Sequence, residues 1–300
     1  MRRLNRRWGA ICGIRRGAVS EIICYMPLYS PTTEAVPPVR PYTRETNEAI
    51  SKRLRRQSRV KPAVYFDCID SVLNNPTSVR LVVADGRSTE SMRAEMVKHH
   101  AHGGYELTLY ENRESQWKIF NDVYALATPE TWYMIYSSSD IVWVHDWVQE
   151  AISAFEKNPK LQILFPCVNR GDPNLPCQIS NGTRDLPPFE PPFQRAARSP
   201  VLNMYAAIFR MDFLKTFGGY PNVYKNCFSE SYLYYMCEAM GGKMMVLPRG
   251  YVYHHSALDA HGDYNYSAEK PMFNPMMDKL LAARAKGEMD VEFLKKLLYV

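Results

Sequence analysis

An α/β fold, a sheet covered by helices, is predicted by three observations. Short apolar runs alternate with amphipathic segments of ten to fourteen residues from 19 to 168. The runs end in Gly, Pro, Ser or Asp, residues that turn a strand into a loop. Apolar content is 46% and charged content 23%, ordinary for a chain that buries a core. Such alternation pairs strands in parallel through helical crossovers.

The first run, "VSEIICYMPLYSP" (19–31), is closed by Pro27 and Pro31 and reads as a buried strand. Residues 31–62 carry five prolines and many charges, an insertion loop with at most one helix near "ETNEAISKRLRR". "AVYFDCIDSVLNN" (63–75) places Val64, Cys68, Ile69, Val72 and Leu73 at helical spacing. "SVRLVVADG" (78–86) is a second strand, followed by a helix with Ser88 or Thr89 as its cap. "YELTLYE" (105–111) and "SQWKIFNDVYALA" (115–127) repeat the strand–helix pair. "TWYMIYS" (131–137), "HDWVQEAISAFEKN" and "LQILFPCV" (161–168) complete the alternation.

Beyond 168 the alternation fails. Residues 169–200 are proline-rich and read as a long irregular loop, of functional length. "VLNMYAAIFRMDFLKTFGGYP" gives a strand, a short helix and a turn at Gly218 and Gly219. "SESYLYYMCEAMGG" is a helix ending at glycines, and "KMMVLPRGYVYHHSA" a strand pair broken at Pro248.

Charge is uneven. Residues 1–61 hold 14 Lys/Arg against 4 Asp/Glu, a balance of +10; the other 239 hold 23 against 27. The basic arm and "SKRLRRQSRVK" (51–61) suit phosphate, in nucleic acid or at an anionic membrane, or form a solvated face. No run approaches eighteen apolar residues, so a membrane span is not expected, and the arginine-rich start lacks the apolar core of a secretory signal. Seven cysteines, scattered and without a C-x-x-C pair, argue against a zinc site or disulfide framework and for a reducing, cytoplasmic setting.

In sheets of this kind, ligands bind at the carboxyl ends of the strands, where Asp85 and Asp140 both lie. "YSSSD" leaves one carboxylate after three serines, and each acid read singly is as well explained as a turn residue. Glu230 opens an aromatic helix, where a first-turn acid favoured by the dipole is the plainer explanation. His254 and His255 end a late apolar strand. Two strand-end carboxylates, a further acid and a histidine pair together suit a divalent cation, Mn2+ or Mg2+, that holds a diphosphate beside a base.

Seven short segments in order resemble the inverting family 2 glycosyltransferases with the A-type fold. "IICYMPLY" is similar to that family's first strand ending in Pro-x-Tyr, and "CIDSVLNN" to its helix x-x-x-S-h-x-x-Q. "LVVADGRSTESM" resembles V-V-D-D-G-S-T-D, with Ala84 for the first acid and Arg87 inserted. "YSSSDIVWVHDWVQEAISAFEKNP" resembles the branch that reads N-N-D-V before a Trp-Leu-Glu helix. "AAIFRMDFLKTFGGYP" is similar to A-x-x-x-R-R-x-x-F-x-x-x-G-G-F. "SESYLYYM" stands where E-D-x-D-L-x-x-R is expected, and "YVYHHSA" where the late histidine falls.

The resemblance implies a single Rossmann-like nucleotide-diphospho-sugar transferase domain, a mixed central sheet flanked by helices. It divides the chain into a basic arm (1–18), a nucleotide-sugar half (19–168), an acceptor and catalytic half (169–270) and a helical tail (271–300). It implies that Pro27 and Tyr29 line the base pocket and that Asp85 accepts a hydrogen bond from the base. Ser138, Ser139 and Asp140 stand for the D-x-D metal motif, so Asp140 is the expected metal ligand, with His254 or His255 beside it. Glu230 is the expected catalytic base, although the family's acid pair is here Ser229-Glu230-Ser231. Arg210, Trp147, Gly218 and Gly219 match as scaffold, and Trp147 with Tyr232 and Tyr253 falls on an aromatic-rich acceptor side.

The implied activity is inverting transfer of a hexose from a nucleotide-diphosphate sugar, UDP-sugar first, to a hydroxyl of a glycan, lipid-linked sugar or small molecule. The basic 1–61 segment adds an alternative acceptor, hydroxymethylated bases of viral DNA. The missing acids add a second alternative, a non-catalytic nucleotide-sugar or nucleic-acid binding protein. A nucleotidyltransferase would want a glycine-rich phosphate loop after the first strand, which "MPLYSP" does not supply.

Overall fold

The computed structural model describes residues 22–29, 63–144, 146–168, 193–194, 199–200, 202, 204–224, 229–254 and 266–299. Strands β1 (Ile22–Leu28), β2 (Arg80–Asp85), β3 (Glu106–Leu109) and β4 (Tyr133–Ser137) alternate with helices α1 (Ala63–Leu73), α2 (Glu90–Gly103) and α3 (Gln116–Tyr124). After β5 (Ile141–Trp143) come α4 (Trp147–Lys157) and β6 (Leu161–Val168). Two-residue strands β7 (Phe193–Gln194) and β8 (Ser199–Pro200) pair only with each other. Then follow β9 (Ala206–Arg210), α5 (Met211–Phe217), a 3-10 turn (Ser229–Tyr232), α6 (Leu233–Ala239), β10 (Lys243–His254), α7 (Tyr266–Lys286) and α8 (Val291–Leu298).

Eight strands make one mixed sheet in the order β3-β2-β1-β4-β9-β6-β10-β5. The β1–β2, β1–β4, β2–β3 and β6–β10 pairs are parallel. β9 enters antiparallel between β4 and β6, and β5 runs antiparallel on β10. Strand order reverses at β1 and β4, which opens a crevice beyond their carboxyl ends.

Alternate residues of each strand feed two cores. Ile23 and Tyr25 meet Trp117, Phe120, Phe213, Leu233, Leu280 and Leu294 on one face. Cys24 and Met26 meet Val64, Ile69, Met92, Val148 and Phe155 on the other. Each such side chain fully buried contributes about 1.5–3 kcal/mol, so the two layers hold the sheet rigid beneath the crevice. Arg210 does scaffold work: Nε donates to the Leu161 carbonyl at 2.7 Å and the guanidinium lies 4.8 Å from the Phe155 ring centre.

The expected strand pair at 243–254 is one strand instead. β10 passes through Pro248 with a register irregularity between Val246 and Tyr251, where the missing N–H of proline costs no ladder bond. Among the described residues no helix is long and apolar enough to cross a membrane. The basic arm and the 31–62 loop lie outside the described residues.

Candidate active site

The apolar run of β4 stops at Ser137, and a tight turn follows, with the Ile141 N–H donating to the Ser138 carbonyl at 3.2 Å. The three serines have separate tasks. Ser137 is buried and accepts from Trp143 Nε1 at 3.1 Å, which fixes the turn on the sheet. The Ser138 hydroxyl donates to Asp140 Oδ1 at 2.6 Å, while Ser139 is half-buried in the turn.

β5 then pairs with β10, setting Ile141 opposite His254. This register brings His254 Nε2 to 2.9 Å from Asp140 Oδ2, and the Tyr205 ring covers the imidazole at 4.4 Å. Burial alone would raise the Asp140 carboxyl; the charge and hydrogen bond of His254, with the Ser138 hydroxyl, outweigh it and hold the carboxyl below its ordinary value. A carboxylate and an imidazole side by side, both little exposed, are the donor types that suit a divalent cation. Among the described residues no group of three or more His, Cys, Asp and Glu forms such a cluster, and His255 lies outside them.

Asp85 ends β2 wholly buried. Its carboxylate accepts from the Ser88 N–H at 2.9 and 3.2 Å and from Arg93 Nε at 2.7 Å. Pro27 sits opposite Ala84 near the end of β1, and the half-buried Tyr29 accepts from the Tyr65 hydroxyl through its carbonyl at 3.3 Å.

Glu230 lies half-buried in the 3-10 turn. Burial pushes its carboxyl up to about 7, opposed by a backbone N–H and assisted by the Glu269 charge. Its neighbour in the field is Tyr220, whose hydroxyl is raised by burial and by the Glu230 charge. Tyr220 stacks on Trp117 with ring centres 4.4 Å apart. Trp117 Nε1 and the Tyr220 and Ser229 hydroxyls are buried with no hydrogen-bond partner among the described residues, so this corner holds polar capacity for water or a polar ligand. Sequence reasoning missed Trp117 and Tyr220; the run "FGGYP" and the Ser115 helix cap before "QWKIF" carried their positions but not their meeting.

Of the three residues expected on the acceptor side, Trp147 and Tyr253 belong to one core layer and Tyr232 to the other. Trp147 is buried in the core, edge-on to Trp143 at 5.2 Å. Tyr232 is also buried, its hydroxyl 3.0 Å from that of Tyr224. Tyr253 is half-buried in β10, opposite Val142.

The description "Glycosyl transferase family 2" belongs to the family model that matches residues 66–218. Among solved structures, the chain is similar to the mannosyltransferase PcManGT from Pyrobaculum calidifontis, a complex with GDP-Man and Mn2+: 16% identity, TM-score 0.50, covering 83% of this chain and 59% of that one. It is also similar to GalNAc-T7 with UDP, GalNAc and Mn2+: 12% identity, TM-score 0.58, covering 92% of this chain and 54% of that one. The chain thus spans somewhat over half of each, and both likenesses concern the fold. No curated protein matches the chain in sequence.

Proposed function

This chain belongs to glycosyl transferase family 2, and we propose from that premise that it transfers a hexose, with inversion, from a nucleotide-diphosphate sugar to a hydroxyl acceptor. The observation that carries the reading is the Asp140–His254 pair after the carboxyl end of β4, beside the crevice where strand order reverses.

In this reading the donor lies along the carboxyl ends of β1 and β4, with Pro27 and Tyr29 on the base side and Ser138, Ser139 and Asp140 toward the diphosphate. Asp140 and His254 are the residues that would hold Mn2+ or Mg2+, which when bound neutralises charge on the diphosphate. Ser138 orients the carboxylate through its 2.6 Å hydrogen bond. Glu230, with a carboxyl near neutrality, takes the proton from the acceptor hydroxyl. That oxygen forms a bond to the anomeric carbon from the face opposite the diphosphate. The bond from that carbon to the diphosphate oxygen breaks, its electrons leaving with the nucleotide.

The same geometry weighs against pure binding. A carboxyl raised toward neutrality beside buried polar groups suits proton transfer better than binding alone. The DNA-acceptor alternative rests on the basic 1–61 segment, of which the described residues include only 22–29.

The test is hydrolysis of UDP-sugars and GDP-sugars by the purified chain with Mn2+, repeated on Asp140→Ala and Glu230→Gln after circular dichroism has shown both folded. Turnover lost in both supports the reading. Wild-type rates in both variants would overturn it.

A further inference from the structure

Tyr220, in the turn after α5, is wholly buried and pinned from several sides. Asn121 of α3 donates through Nδ2 to its carbonyl at 2.9 Å and accepts its N–H through Oδ1 at 2.7 Å. The Trp117 ring stacks on it at 4.4 Å, and the Phe120 and Phe209 rings flank it at 5.1 and 6.0 Å. Tyr299, just beyond α8, donates its hydroxyl to the preceding Gly219 carbonyl at 2.9 Å. Backbone and ring are thus fixed, while the Tyr220 hydroxyl has no hydrogen-bond partner among the described residues. Tyr220 stands where the sequence pattern G-G-F has phenylalanine, so the hydroxyl is this chain's own.

Packing does not explain that hydroxyl. Phenylalanine would fill the same space, and a buried donor left unpaired costs stability. Of the charges that act on the phenol, that of Glu230 is the largest, ahead of Tyr136 and Tyr299, and burial keeps it protonated and hence a donor. Glu230 in turn feels Glu269 of α7. That helix is set against the 3-10 turn by the Phe273 and Tyr232 rings, 6.0 Å apart, and by Tyr224, whose hydroxyl donates to Met276 Sδ at 3.3 Å. Burial and a like charge both resist ionisation of Glu230, and the phenol is the donor in position to oppose them.

We infer that Tyr220 is a positioning residue for Glu230, its hydroxyl donating to that carboxylate once the acid has lost its proton. The inference rests on the reading of Glu230 as the base. While Glu230 is protonated the phenol stays unpaired; ionisation supplies an acceptor, and a charged acceptor makes the stronger bond. The ring is pinned, so the carboxylate comes to the hydroxyl by turning about its own side-chain torsions.

The experiment compares Tyr220→Phe with wild type from about pH 6 to about pH 9, a range that spans the Glu230 titration. Without the donor fewer molecules carry an ionised base, so kcat/KM falls about tenfold near pH 6 and approaches wild type near pH 9. The Kd for UDP stays unchanged. The Tm of the variant equals or exceeds that of wild type at the acid end, where the phenol is unpaired, and falls below it at the alkaline end. In a Glu230→Gln background the Tm difference between tyrosine and phenylalanine no longer depends on pH. An equal loss of kcat/KM at every pH makes Tyr220 a packing residue and overturns the inference, and so does a variant that matches wild type throughout. A Tm crossover together with wild-type turnover in Glu230→Gln is a different result: the pair stands and the reading of Glu230 as the base falls.

Discussion

His254 Nε2 lies 2.9 Å from Asp140 Oδ2 across 114 residues of chain, and the contact exists because the three-residue strand β5 pairs with the last residues of β10. A single carboxylate supplies less charge to a hard cation than a pair does, so its orientation matters more. Ser138 provides that orientation through Oδ1. Removing an outer partner of a metal ligand costs about 10–100-fold in metal affinity. Ser138→Ala is therefore expected to raise the Mn2+ concentration for half-maximal turnover by that factor while leaving kcat at saturating Mn2+ nearly unchanged. A variant with unaltered Mn2+ dependence would remove Ser138 from the site.

Glu230 gives a prediction in pH. Its carboxyl is raised from 4.5 to about 7, so between those values the folded chain keeps a proton that the unfolded chain has released. Stability from this group is therefore full below 4.5, falls as pH rises through the window, and levels off above about 7. Glu230→Gln keeps the neutral form at every pH. Its Tm advantage over wild type should grow from pH 4.5 to 7 and then stay constant, while wild-type kcat/KM rises through about 7 because the base must be ionised. A Tm difference flat across that range is the outcome that sinks the assignment.

Much of the fold was legible because period and punctuation repeat along 19–168, and Asp85 ends β2 while Asp140 falls in the turn after β4, as the sequence pattern places them. What was not legible depends on contacts between distant segments. β9 reads as a strand, but nothing in "AAIFR" tells that it enters antiparallel and makes the sheet mixed. β5 is three residues long and passes as an extension of the loop. Trp147 and Tyr232 were expected on the acceptor side, yet amphipathic rings pack equally well inside, and here both are buried. Asp85 was placed correctly at a strand end, but the arginine that occupies its carboxylate comes from the following helix.

Tyr220 is held by a clamp that joins α3 to the turn after α5. Asn121 Nδ2 donates to the Tyr220 carbonyl at 2.9 Å, and the Tyr220 N–H donates to Asn121 Oδ1 at 2.7 Å. Gly219 has φ 119°, and a Cβ there would stand 2.4 Å from that same Oδ1. Asn121→Ala strands two buried backbone groups, a loss of about 2–5 kcal/mol. Gly219→Ala adds backbone strain of about 1–3 kcal/mol and a clash with the amide. The clash vanishes when Asn121 is already alanine, so the double variant should be more stable than the sum of the single losses by about 0.5–3 kcal/mol. Urea denaturation of the four proteins measures the difference; strict additivity would contradict the clamp.

Far from the crevice, His99 joins α2 to α1. Its Nε2 lies 3.0 Å from Asp70 Oδ1, its Nδ1 lies 3.2 Å from the Tyr105 hydroxyl, and the Phe66 ring stacks on it at 4.9 Å. The imidazole is 2% exposed, so its loss leaves a void and takes a partner from Asp70, while the Tyr105 hydroxyl keeps the Met96 carbonyl at 3.4 Å. Burial and the Asp70 charge keep the Tyr105 phenol un-ionised, so it cannot compensate by taking on charge. His99→Ala should cost about 2–4 kcal/mol and lower Tm by several degrees, yet leave the Kd for UDP or GDP unchanged below the transition. The Asp70→Asn variant, which keeps the shape, should cost less because an amide oxygen still faces Nε2. If His99→Ala instead weakened nucleotide binding while the fold stayed as stable as wild type, the residue would belong to the site and not to the frame that carries it.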